Sequence, residues 1–227
     1  MSKKIIIVSI FTLLTFSSLR AQETYSKTSL EFIFGLSDIE ANGQTQNSAI
    51  RFSLFFNLGQ QWHMDFNNHV GLFTGTNIRN IGFKIKEADT TDIHRAYGIG
   101  MPLAIKLGDF KNHFYFYGGG QYELFFHYKH KRKEPGNKTK TLDWFSSRVN
   151  SLMPSVFAGI QFPKGLNVRF TYYLKDFLNK NYKGTSVGVP VDYSNWNTQV
   201  YYISFSFNFK TSDYKKVIKR EGEFVRL

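Results

Sequence analysis

Across residues 152–175 the chain alternates apolar and polar side chains twice, with only Pro163-Lys164-Gly165 between the two runs. Pro154, Val156, Ala158, Ile160 and Phe162 alternate with Met153, Ser155, Phe157, Gly159 and Gln161. Beyond the break, Leu166, Val168, Phe170, Tyr172 and Leu174 alternate with Asn167, Arg169, Thr171, Tyr173 and Lys175. Successive side chains of a strand point to opposite faces, so the segment reads as a hairpin with one apolar and one mixed polar face. Five apolar positions per strand, at a rise of about 3.3 Å and a tilt of about 40°, cover roughly 23 Å. That is close to the apolar band of an outer-membrane barrel.

The same alternation recurs in residues 29–36, 50–59, 70–79, 97–107, 114–128 and 200–209. With the hairpin these make eight strands. The connections run long (37–48), short (65–68), long and charged (84–95), short (108–112), long and basic (129–150), short (163–165) and long (176–197). An even strand count with short turns at one end and longer loops at the other predicts an all-β fold, an eight-stranded antiparallel up-and-down transmembrane barrel. A soluble barrel would reverse the faces and put Lys, Glu and Asp outside. Here the polar face is rich in Gly, Ser, Asn and Tyr, which suits a filled interior.

The 24 Phe and 13 Tyr, against 5 Pro, favour β structure, and the absence of Cys excludes disulfides and thiolate metal sites. Residues 1–21 read as a secretory signal, with Lys3 and Lys4 ahead of an apolar core and cleavage expected between Ala21 and Gln22. A membrane anchor is the alternative there. The barrel is then expected over 22–209, followed by a periplasmic tail over 210–227. The formal charge of +12 fits an anionic lipid surface as well as nucleic acid, but export and the lack of a recognition module disfavour nucleic acid.

The AQ junction, MPLAIKLGDF, FYFYGGGQYELFF and SVFAGIQFPKGLNVRFTYYL together resemble the PorT-like outer-membrane β-barrel proteins of Bacteroidota. The resemblance spans most of residues 27–209 and implies an eight-stranded outer-membrane barrel, with some relatives linked to secretion of surface proteins. The chain departs from that pattern in lacking a Gly-Gly-Leu-Asn opening strand and in continuing past Phe209.

Candidate chemistry is sparse. The expected interior polar network is Glu31, Arg51, Arg79, Lys106, Glu123, Arg169 and Lys175. Glu31 should pair with Arg51, and Glu123 with Lys106 or Arg169, because buried charges need partners. Aromatic side chains, Phe55, Phe73, Tyr115, Tyr117, Phe125, Phe157, Tyr173 and Tyr202, should fill the rest of the interior. The run Lys129, Lys131, Arg132, Lys133, Lys138 and Lys140 reads as an anion-binding loop for lipopolysaccharide phosphates or an acidic envelope partner, against a plain solvated loop. Asp92-x-His94 and His127-x-x-His130 are the close His groupings, and neither supplies the three or four ligands of a metal site. No cofactor is expected. The leading reading is a non-enzymatic, monomeric binding or assembly component in contact with membrane lipid. The rival is an outer-membrane hydrolase acting on lipid A or peptides through His127, Glu123 and one of Ser146, Ser147 or Ser151. A passive channel is disfavoured by the strand number.

Overall fold

In the computed structural model, residues 23–210 are described; the signal segment and nearly all of the C-terminal tail expected from sequence lie outside them. The strands are β1 (Glu23–Ala41), β2 (Gln44–Thr45), β3 (Arg51–Ser53), β4 (Leu58–Asp65), β5 (Val70–Glu87), β6 (Thr90–Asp109), β7 (Phe114–Glu134), β8 (Asn137–Trp144), β9 (Leu152–Gln161), β10 (Leu166–Tyr173), β11 (Lys183–Ser186), β12 (Val189–Asp192) and β13 (Trp196–Lys210). Antiparallel ladders run β1–β4–β5–β6–β7–β9–β10–β13, and β13 closes on β1 from Lys27↔Lys210 to Ala41↔Trp196. β3 and β4 share one position in the ring, which makes it eight-stranded. Closure removes sheet edges, the condition for strands to cross lipid.

The faces follow from period two. Leu30 and Phe34 on β1, Ile99, Met101, Leu103, Ile105 and Leu107 on β6, Val156 on β9, Phe170 on β10 and Ile203, Phe205 and Phe207 on β13 are all exposed. Their polar-face neighbours are buried. A wall of exposed aliphatic and aromatic side chains is stable against lipid and not against water, so the chain is an outer-membrane barrel and the soluble alternative falls. Inside, Phe73, Tyr115, Tyr117, Phe125, Phe157, Tyr173 and Tyr202 are buried as expected. Tyr117 lies so close over Gly159 that a Cβ there would collide with its hydroxyl.

The sequence expectation is overturned at four places, each for a physical reason. The charged segment 84–95 is not a loop: β5 and β6 stay paired to Glu87↔Thr90 around a two-residue turn. Beyond the bilayer the outward face meets water and carries lysines, while the inward face mixes Phe83 and Ile85 with His94 and His130, so the apolar alternation that marks a strand disappears. The basic segment is likewise strand, with β7 and β8 pairing from His127↔Trp144 to Glu134↔Asn137.

The third departure is one of parity. On β7, Gly98 of β6 faces Phe125 and Tyr97 faces His127, leaving Phe126 as a one-residue bulge. Past it, inside and outside exchange. Tyr128, expected to face lipid, is 0% exposed inside the barrel, and His127, expected inside, faces out against Trp144 with ring centroids 4.7 Å apart.

The fourth is the interruption between β3 and β4. Residues 54–57 leave the wall, Phe56 adopts φ 63°, and its ring packs 5.9 Å from that of Tyr97. Phe55, expected inside, is 71% exposed. Where the β3–β5 ladder is missing, side chains replace it. Arg51 donates to the backbone oxygen of Asn80 at 3.0 Å and to its side-chain oxygen, while Asn57 Oδ1 accepts from the Asn80 N–H at 2.9 Å. Arg51 is therefore a wall-closing residue and makes no pair with Glu31.

Candidate functional site

Three polar layers occupy the barrel from the short-turn end to the long end. In the lowest, Lys106 pairs with Asp65 and donates to Tyr25 Oη at 2.8 Å, while Lys27 donates to Tyr115 Oη at 3.1 Å. Asp65 and Lys27 are buried charges that sequence reasoning missed. Asp65 stands where the sequence predicts a turn, and Lys27 precedes the first predicted strand.

The middle layer is centred on Arg79. Its Nε donates to Glu31 Oε2 at 2.6 Å and its Nη1 to Glu123 Oε1 at 3.0 Å and Gln121 Oε1 at 2.8 Å. Ser204 donates to the other Glu31 oxygen at 2.5 Å, and Tyr173 donates to the other Glu123 oxygen. Arg169 reaches Gln121 at 3.0 Å and lies 3.7 Å from the Phe157 ring centroid. Of the expected interior residues the structure thus brings Glu31, Arg79 and Glu123 together, with Arg169 bridged to them by Gln121. Glu123 pairs with neither Lys106 nor Arg169. Lys175 lies past the end of β10 and is exposed, so it leaves the network.

At the long end, segment 174–195 folds over the barrel mouth. Phe177, Leu178, Val187 and Tyr193 are buried there, against Phe83 and Phe125 among others. Parity above the Phe126 bulge sorts β7 into two faces. Even positions point inward: His130 meets Asp92 Oδ1 at 2.9 Å and stacks on His94 at 3.9 Å, and Arg132 donates to Asp92 Oδ2 at 3.0 Å. Arg132 was expected in the anion-binding set and belongs instead to this inner face. Burial, then its neighbours His130 and Arg132, hold the His94 imidazole well below its usual pKa.

Odd positions point outward. Ladder rows place Gly82, Arg95, Lys129 and Leu142 side by side, then Lys84, Ile93, Lys131 and Lys140, then Lys86, Thr91, Lys133 and Lys138. The preceding row, Asn80, Tyr97, His127 and Trp144, is aromatic, so the cations begin directly beyond the apolar band. Lys84, Lys86, Arg95, Lys129, Lys131, Lys133, Lys138 and Lys140 share one face with no acid in these rows. None of the eight forms an ion pair among the described residues. Burial and the charges of Lys133, Lys140, Lys138 and Arg95 lower the pKa of Lys131. Five of these eight belong to the run that the sequence predicts as an anion-binding loop; Lys84, Lys86 and Arg95 fall in the segment 84–95, which the sequence predicts as a charged loop.

The hydrolase set expected from sequence is not assembled. Glu123 lies in the middle layer, His127 faces outward, and Ser146 Oγ accepts from the Arg148 N–H at 3.3 Å. No group of three metal-binding side chains occurs among the described residues.

No family model matches the chain, and no curated protein matches it. Among solved structures it is similar to Ail, the attachment invasion locus protein of Yersinia pestis, at 11% identity, covering 82% of this chain and 99% of that one with a TM-score of 0.38. It is similar to the outer membrane protein OprG from Pseudomonas aeruginosa at 16% identity, covering 84% and 97% with a TM-score of 0.37. Neisserial surface protein A matches at 11% identity, covering 84% and 99% with a TM-score of 0.36.

Proposed function

We propose that the protein is an outer-membrane binding component whose outward sheet of β5–β8 holds the phosphates of lipopolysaccharide in the outer leaflet. One observation carries this reading: eight unpaired cations lie on a single sheet face that begins where the apolar wall ends. Lys131 opposes Lys140 and Lys133 opposes Lys138 directly across the ladder. Like charges so placed, with Cβ atoms about 5 Å apart, destabilise a sheet unless an anion sits between them. Strands about 4.8 Å apart and rows about 6.7 Å apart give a lattice of roughly 14 by 13 Å, which several phosphate groups can occupy together. Ammonium groups on flexible stems suit phosphate as point charges, and attachment to a lipid surface makes the contacts multivalent. An envelope partner bound through the same barrel, as the PorT-like resemblance suggests, is compatible with this reading.

The test is thermal unfolding of the barrel in nanodiscs with and without lipopolysaccharide. The wild-type midpoint should rise with lipopolysaccharide and the gain should shrink in high salt. The variant with Lys131, Lys133, Lys138 and Lys140 all replaced by Glu should lose the gain. An equal rise in the variant, or none in the wild type, would refute the assignment.

A further inference from the structure

The inner face of the same strands carries a second arrangement. The β11–β12 hairpin drops its tip into the mouth, and Ser186 Oγ lies 2.7 Å from His130 Nδ1. His130 Nε2 lies 2.9 Å from Asp92 Oδ1, whose other oxygen is held by Arg132 at 3.0 Å. An ionised carboxylate only accepts, so the proton of a neutral imidazole resides on Nε2 and the Nδ1 lone pair faces the Ser186 hydroxyl. Three residues far apart in sequence thus form a hydroxyl–imidazole–carboxylate chain, the arrangement by which a serine is activated, here with the two ring nitrogens in exchanged roles.

The chain borders a cavity of about 300 Å³ at the outer mouth, lined also by Val189, Val191, Trp196 and Tyr193. Tyr193 is 1% exposed, and its hydroxyl lies beside those of Ser186 and Tyr128 without meeting hydrogen-bond geometry to a partner. A buried phenol beside a nucleophile is placed to donate to a developing oxyanion. Burial raises the Tyr193 pKa, which keeps the phenol protonated for that task. Val187, directly after the serine, is held at φ 48°, a costly conformation for a β-branched residue. Its N–H donates to Thr141 Oγ1 at 2.7 Å, so the strained turn pins Ser186 in place.

We propose that Ser186, His130 and Asp92 catalyse acyl transfer from small esters with short apolar acyl groups that enter from outside the cell. Ser186 Oγ attacks the ester carbonyl while its proton passes to His130 Nδ1. The carbon–oxygen bond to the alcohol breaks, and the alcohol leaves with that proton. Water, deprotonated by the same nitrogen, then releases the acid and restores the serine. Ser186 and His130 are the catalytic residues, Tyr193 stabilises the oxyanion, and Asp92 positions the imidazole. The cationic sheet lies on the opposite face of these strands, so this activity and lipopolysaccharide binding stand or fall separately.

The purified folded barrel is treated with a fluorophosphonate probe and the adduct mapped by peptide mass spectrometry. The expected result is an adduct on Ser186, formed at least about a hundredfold more slowly in His130→Gln. Asp92→Asn should also slow labelling, with partial recovery in Asp92→Glu. Hydrolysis of p-nitrophenyl butyrate should disappear in Ser186→Ala while heat-modifiable gel mobility is kept. An unlabelled Ser186 in the native wild-type barrel, or equal labelling in His130→Gln, would overturn the proposal.

Discussion

Replacing Arg79 by Met tests the middle layer of the barrel most directly. The side-chain volume is nearly kept, but Glu31 and Glu123 lose the cation that lies 2.6 and 3.0 Å from them. Removing one partner of a buried ion pair costs about 3–5 kcal/mol, because the remaining charge stays desolvated. Arg79 serves two carboxylates at once, so the upper part of that range is expected. Ser204 and Tyr173 still donate to Glu31 and Glu123, which keeps the loss from doubling. Adding Glu31→Gln and Glu123→Gln to Arg79→Met removes both stranded charges, and the triple variant should recover at least half of the loss. The assay is urea unfolding in lipid vesicles followed by tryptophan fluorescence, with heat-modifiable mobility as the check on folding. A loss below about 1 kcal/mol for Arg79→Met, or no recovery in the triple variant, would show that the layer does not depend on this pairing.

On the lipid wall, Phe170→Arg should cost about 2–4 kcal/mol near the bilayer midplane, measured by the same unfolding experiment. Equal tolerance of Phe170→Arg and of Arg at an exposed loop position such as Lys180 would remove the basis for the wall. Planar-bilayer recordings should show no steady conductance, since buried aromatics and the Phe177–Tyr193 cover fill the lumen; a reproducible open channel would contradict the filled interior. His94, neutral in the folded barrel beside His130, Arg132, Tyr128 and Phe83, gains a proton in the unfolded chain below about pH 6.5. The sign follows: stability is unaffected above that pH and falls below it, by up to about 1.4 kcal/mol per pH unit, and His94→Gln should flatten the slope.

The transmembrane half of the fold was legible because lipid on one side and a packed lumen on the other enforce a strict alternation, as in Leu166 to Tyr173. That enforcement ends at the bilayer surface. Lys84 to Arg95 and Lys129 to Trp144 are strands with a wet, cationic outward face and an inward face of mixed polar and apolar residues, so their composition is that of loops. The β1–β2 turn carried a usable sign, Asn42-Gly43, with both residues at positive φ, the type I′ pattern favoured in two-residue hairpins. The exposed Phe55 and Phe56 kept the alternation of a strand while leaving the wall, so the break there had no local signature. Pairing across the lumen was readable only as a requirement. That Glu31 needs a cation follows from burial, but the choice of Arg79 over Arg51 depends on the break in β3–β4. The Ser186, His130 and Asp92 grouping is set by three separate hairpins and obeys no spacing rule, so only the fold brings it into view.

The single unpaired residue Phe126 imposes a condition on how this protein can vary over generations. Substitutions at most outward positions of β7 alter one contact each. Deleting one residue between Leu124 and His130 would instead turn the lysine row into the mouth and the histidine and arginine row toward the lipid surface, with every side chain chemically unchanged. Two such changes together would restore both. Descendants of this chain can therefore exchange residues freely along the upper hairpin but can lengthen or shorten it only in pairs. In this stretch the quantity under inheritance is the count of residues, odd or even, more than their kind.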